Sequence, residues 1–200
     1  MIRVALVDDH PAVLTGLRRF LDPVADLEIL AAAPDAASLA QRLDGRRPDV
    51  LLLDDDPANG VGLSTCWRAK CRPEPPRVLL YTDYATPAFA LAARAAQADG
   101  VLDKSAPAPA LARTIRRVAE GETVMPPVRR EDFERAVARL ADDDLPVFAM
   151  LLDRTSLADI AESMRLPERE AAHRARRVIE RLRPRLGADL QGSISPRRIA

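Results

Sequence analysis

Five times in the first 120 residues, a short apolar run is followed by a longer stretch whose apolar positions recur every three or four residues. The runs lie at 2–7, 27–31, 50–53, 78–81 and 101–102. The periodic stretches lie near 11–21, 35–43, 62–71, 86–97 and 108–120. The short runs read as strands and the periodic stretches as amphipathic helices. Strand followed by helix, repeated, predicts an α/β fold: a five-stranded parallel sheet with helices on both faces. The third and fourth runs are almost wholly apolar, as expected of strands buried on both sides. Gly45, Pro48 and Gly121 punctuate the pattern at helix ends.

After Gly121 the texture changes. Residues 122–141 carry a double proline and runs of charge, and read as a linker that is partly helical, near 131–140, with no strand after it. From Leu145 onward the pattern is helical throughout, with segments near 144–152, 156–164 and 168–183. Ser156 and Asp159 stand at capping-box spacing, with aspartate where glutamate is usual, and Pro184 ends or kinks the last long helix. The domain boundaries expected are therefore 1–121, a linker at 122–141, and an all-α region at 142–200.

Composition sharpens this picture in two places. Thirty basic and thirty acidic residues give no net charge, yet the charges are not evenly spread. Residues 165–185 hold eight arginines against three glutamates, whereas residues 1–121 are nearly balanced. Cys66 and Cys71 are too few for a disulfide scaffold and do not have zinc-motif spacing. There is no signal-peptide pattern and no apolar run near the roughly 18 residues a membrane span needs. A cytoplasmic protein is expected.

The candidate chemistry lies at strand ends. Residues 2–7 run into Asp8 and Asp9, and the run 50–53 runs into Asp54, Asp55 and Asp56. In a parallel α/β sheet, ligands gather at the carboxyl ends of the strands. Adjacent central strands would bring Asp8, Asp9 and Asp54 into one shallow pocket. Each pair of carboxylates ~4 Å apart costs about 4 kcal/mol at an effective dielectric near 20. A hard divalent cation offsets such repulsion with oxygen ligands, and magnesium is the natural candidate. Thr82 and Lys104, at the ends of the fourth and fifth runs, could serve a phosphate.

The stretch from Val7 to Pro11, the run leading to Asp54, Thr82, and residues 98–105 ending in Lys104 and Ser105 together resemble the receiver domain of two-component response regulators. The resemblance covers about 1–121. It implies that Asp54 is the phosphoacceptor, taking a phosphoryl group from a sensor histidine kinase or a small phosphodonor. It further implies that Asp9 and Asp54 ligate magnesium directly, that Asp8 helps through water, and that the Asp56 carbonyl completes the set. Lys104 would neutralise phosphate charge and Thr82 would act as the switch. The chain departs from the family at Asp55, Asp56 and Pro57, at Asp83 after the threonine, and at Val101, where an aromatic is usual. These departures predict weakened switching.

The helical region reads as helix, turn, helix. Ala171, Ala175, Val178, Ile179, Leu182 and Leu186 form one apolar face. Arg169, His173, Arg176 and Glu180 point the other way. An arginine-bearing helix face suits the major groove of double-stranded DNA. The pattern around Ile160, Ala161, Met164, Leu166 and Val178 resembles the LuxR-type helix-turn-helix of the NarL/FixJ regulators. That resemblance implies DNA contacts by Arg169, His173 and Arg176, with Arg177 on phosphate, and a homodimer on a pseudo-palindromic site. The expected function is a transcriptional response regulator rather than an enzyme. The alternative is a phosphorylation-independent DNA-binding protein whose receiver is a dimerisation scaffold. An RNA-binding antiterminator is disfavoured by the short turn between the two helices.

Overall fold

The computed structural model describes residues 1–56 and 61–184. Leu186, Pro57, Ala58 and the last residues of the chain lie outside the described residues. Five parallel strands, β1 (Ile2–Val7), β2 (Leu27–Ala33), β3 (Val50–Asp54), β4 (Arg77–Thr82) and β5 (Gly100–Asp103), stand in the order β2-β1-β3-β4-β5. Helices α1 (Pro11–Leu21), α2 (Ala36–Leu43), α3 (Val61–Lys70), α4 (Pro87–Ala95) and α5 (Ala108–Ala119) connect and follow them. The expected five-stranded α/β architecture is present. β2 runs two residues further than its apolar run suggested, because Ala32 and Ala33 pair with Leu6 and Val7.

One side of the sheet packs against α1 and α5 through Leu6, Leu17, Leu21, Leu52, Leu111 and Ile115. The other side is deeper. There α4 is buried from Phe89 to Ala93 and at Ala95, with Arg94 left exposed, because a second layer of helices covers most of it. That layer comprises α6 (Arg130–Val137), a 3-10 turn at Asp142–Asp144, α7 (Leu145–Leu152), α8 (Leu157–Met164) and α9 (Glu168–Leu182). Helix α9 packs against α8, α7, α4 and α3. Leu53, Trp67, Phe89, Val147, Ile160, Ala175 and Ile179 belong to one continuous buried cluster. The alanines of α4 and α9 let the helix axes approach closely, since interaxial distance follows side-chain size.

The helical region is itself a helix-turn-helix with identifiable ends. The Ser156 hydroxyl accepts from the Asp159 backbone N–H at 3.1 Å and donates to the Asp159 carboxylate at 2.6 Å, so α8 has a side-chain cap. Pro167 opens α9 without one. At the far end, the Arg139 guanidinium donates to the backbone carbonyls of Leu182 and Arg183, satisfying orphan acceptors at the C-terminus of α9.

Two clasps join the layers at the amino-terminal edge of the sheet. Asp99, just before β5, is 1% exposed and accepts from Lys70 Nζ at 2.6 Å, Arg77 at 3.2 Å, the Val78 backbone N–H at 2.8 Å, and Arg154, between α7 and α8, at 3.0 Å. Arg154 also donates to the Ala98 carbonyl, and the Gln97 side chain donates to the Thr155 carbonyl. Within the linker, Val124 makes an isolated parallel bridge to Gly100. The Val101 N–H donates to the Val124 carbonyl, and the Val124 N–H to the Asp99 carbonyl.

Candidate functional site

Strand register assembles the site. Val7 pairs with Leu53, so Asp8 and Asp54 emerge side by side at the carboxyl edge. Thr82 pairs with Asp103, and the Lys104 N–H donates to the Thr82 carbonyl, which brings Lys104 to the same edge. The lysine Nζ lies 2.7 Å from Asp8 and 2.9 Å from Asp54. Asp8 is 2% exposed, and its other oxygen accepts from the His10 N–H at 2.8 Å. Asp9 is exposed, with the His10 Nδ1 2.8 Å from its carboxylate.

Ligand atoms of Asp8, Asp9, His10 and Asp54 all lie within 4.8 Å of one another. His10 is an addition to the expected set. Its place directly after two candidate acids was the signal that would have found it. The Asp56 carboxylate is not among these converging atoms. Lys104 pairs with Asp8 and Asp54 but not with Asp9, so three clustered carboxylates outnumber the one ammonium bonded to them. Burial pushes the Asp54 carboxyl above its ordinary value, and Asp8 and Asp9 add to that shift while Lys104 opposes it. Burial works against the charged form of Lys104 too, but its bonds to Asp8 and Asp54 raise it overall.

Thr82 is fully buried beside this cluster. Its hydroxyl donates to the Asp55 carbonyl at 2.8 Å and accepts from the Tyr84 N–H at 3.1 Å. Asp55 itself is 2% exposed. One of its oxygens accepts from the Leu63 N–H at 2.8 Å, in the first turn of α3, and the other has no hydrogen-bond partner. Burial pushes its carboxyl up to about 6, against the opposing N–H of Leu63 and the charge of Arg183. Gly62 makes this packing possible. A Cβ there would lie 2.3 Å from the Asp54 carbonyl and 2.6 Å from the Asp55 carboxylate.

On α9, Arg169, His173 and Arg176 are exposed, as their helical phase predicted. Arg177 is placed differently. Its guanidinium is paired in two places with Asp144, which is 0% exposed, at 3.1 and 2.5 Å. A buried carboxylate thus holds the planar fork of Arg177 in this structure. Asp144 lies thirty-three residues away, so helical phase alone gave no hint of it.

Residues 4–116, more than half the chain, match the family described as the response regulator receiver domain, and the chain belongs to that family. With its helical half, it is a response regulator of the NarL/FixJ type. The DNA-binding transcriptional activator DevR/DosR of Mycobacterium tuberculosis is 27% identical over 192 residues, covering 91% of this chain and 88% of that one. A two-component response regulator of the LuxR family from Aurantimonas sp. SI85-9A1 is 29% identical, with a TM-score of 0.58 over 68% of this chain and 99% of that one. The response regulator RcsB, solved in complex with DNA, shares the fold at 19% identity, with a TM-score of 0.57 over 92% of this chain and 93% of that one. These relatives are transcription regulators rather than enzymes. Among the described residues, no helix is long and apolar enough to cross a membrane.

Proposed function

We propose that this chain is a DNA-binding transcription regulator whose receiver, residues 1–121, accepts a phosphoryl group on Asp54 and thereby frees the helical module at 142–200. The observation that carries this reading is the clustering of Asp8, Asp9 and Asp54, with Lys104 bonded to Asp8 and Asp54. The donor set is rich in carboxylate oxygen and poor in positive charge, which fits a hard divalent cation such as magnesium. Asp9 and Asp54 would hold the ion, with Asp8 through water and the Asp56 carbonyl. Bound there, it would neutralise charge on the incoming phosphoryl oxygens.

The residues divide the remaining work. An Asp54 oxygen bonds to phosphorus as the bond to the donor breaks, and the donor leaves with that electron pair, giving an acyl phosphate. A sensor histidine kinase or a small phosphodonor supplies the group. Lys104, already bonded to Asp54, sits where it can follow the new negative charge. Thr82 can reach a phosphoryl oxygen only by giving up the Asp55 carbonyl.

The DNA reading rests on Arg169, His173 and Arg176, which stand exposed on one face of α9. The major groove is about 12 Å wide and a helix with side chains about 10–12 Å across, so an inserted helix meets groove walls on both flanks. With α3 and α4 packed along it, α9 has no room for those walls. Binding duplex DNA therefore requires the module to move, and two copies would bind as a homodimer. The test is fluorescence anisotropy with genomic duplex fragments, with and without acetyl phosphate and magnesium. Phosphorylation should tighten binding about tenfold, a typical coupling, and Asp54→Asn should abolish the gain. Equal binding by both proteins under both conditions would instead favour a receiver that serves as a dimerisation scaffold.

A further inference from the structure

Asp55 touches three parts of the molecule that the proposed function needs to connect. It adjoins Asp54 in the chain. Its carbonyl accepts the Thr82 hydroxyl. Its buried carboxylate accepts from α3 at Leu63.

We propose that Asp55 is the positioning residue that carries the state of Asp54 to α9. This rests on the phosphorylation reading given above and names the route by which it acts. One consequence of a phosphoryl group on Asp54 falls on this residue. Thr82 cannot bond both the phosphoryl group and the Asp55 carbonyl, so its departure strips a buried carbonyl of its donor. A buried carbonyl without a donor is costly, and the peptide shifts to find another. That shift cannot be absorbed locally, because Gly62 leaves no gap between α3 and the Asp54–Asp55 backbone. Helix α3 must follow, and α3 packs against α9.

The chain contains a built-in reporter. Trp67, its single tryptophan, lies on α3 and is 3% exposed within the cluster shared with α9. The experiment is a titration of the full chain with beryllofluoride and magnesium. Three readouts are followed: fluoride NMR for occupancy at Asp54, Trp67 emission for α3, and anisotropy for duplex DNA affinity. Asp55→Ala removes the carboxylate that ties this residue to the Leu63 N–H of α3 and leaves the backbone carbonyl for Thr82. It should bind beryllofluoride with a midpoint within about threefold of the unaltered chain, while the DNA response falls from about tenfold to under about threefold, the scale on which site coupling is read. The Trp67 emission change should shrink with it. Asp55→Asn, which keeps an oxygen for the Leu63 N–H, should retain the response.

A full response in Asp55→Ala overturns the proposal, as does loss of beryllofluoride binding together with the response. Loss of the response in Asp55→Asn with an unchanged beryllofluoride midpoint also overturns it, since the bond to α3 is kept there. No beryllofluoride binding by the unaltered chain is a different failure, since it sinks phosphorylation at Asp54 itself.

Discussion

Two buried carboxylate–lysine clusters sit at opposite edges of the same sheet, one strand length apart, roughly 17 Å. At the amino-terminal edge, the single carboxylate of Asp99 has Lys70, Arg77, Arg154 and the Val78 N–H around it. At the carboxyl edge, Lys104 pairs with Asp8 and Asp54, and Asp9 lies beside them. Burial pushes both Asp99 and Asp54 toward neutrality. Lys70 and the other donors outweigh it at Asp99, which ends below its ordinary value, whereas Asp54 stays above. The same side-chain types therefore make a rigid joint where cations are in excess, and an under-neutralised acidic cluster where they are short.

The largest expected contrast comes from removing Asp99. Asp99→Ala leaves Lys70, 7% exposed, without its buried partner, and should cost about 3–5 kcal/mol in urea unfolding, as broken buried pairs do. A loss below 1 kcal/mol would show that the two clusters do not differ in the way described.

Next in size is the response to magnesium. At a concentration of about a hundred times its Kd, a bound ion should add roughly 2.7 kcal/mol of stability. Asp54→Asn should lose most of that gain. Without magnesium, however, Asp54→Asn should be no less stable than the unaltered chain, because it relieves repulsion. Thermal melts of both proteins with and without magnesium check both statements, and a marked destabilisation by Asp54→Asn alone would mean that Asp54 is structural like Asp99.

The smallest effect is on pH dependence without magnesium, where the signs at the two edges oppose. Asp55, raised to about 6, is penalised when ionised, so stability should rise as the pH falls through 6 toward the ordinary aspartate value near 4. Asp99 has a depressed value, so its contribution is present above about 4 and lost as the pH falls further. Melting temperature should thus peak on the mildly acidic side. A monotonic decline from neutrality downward would contradict the assignment of Asp55.

Much of the acceptor edge was legible because strand ends are legible. An apolar run that stops at an aspartate places that aspartate at the edge, and the parallel order β1-β3-β4-β5 does the rest. The amino-terminal joint was not legible, since Lys70, Asp99 and Arg154 meet only once the helical layer has docked. The docking did leave a trace that periodicity arguments passed over. The segment 87–95 is apolar but for Arg94, and a helix apolar over nearly its whole circumference must be covered on most sides. The pairing of Arg177 with Asp144 had no such trace, because an arginine on a helix flank looks the same whether it faces water or a buried acid.

The bridge between Val124 and Gly100 has a consequence for how copies of this chain can meet. An unpaired outer strand is a template on which another chain can extend a sheet. Here the segment after α5 folds back and occupies the Asp99 carbonyl and the Val101 N–H, which would otherwise be on offer. Along that stretch, self-association by continuing the ladder is closed off, and recognition between copies is left to side chains on helical surfaces.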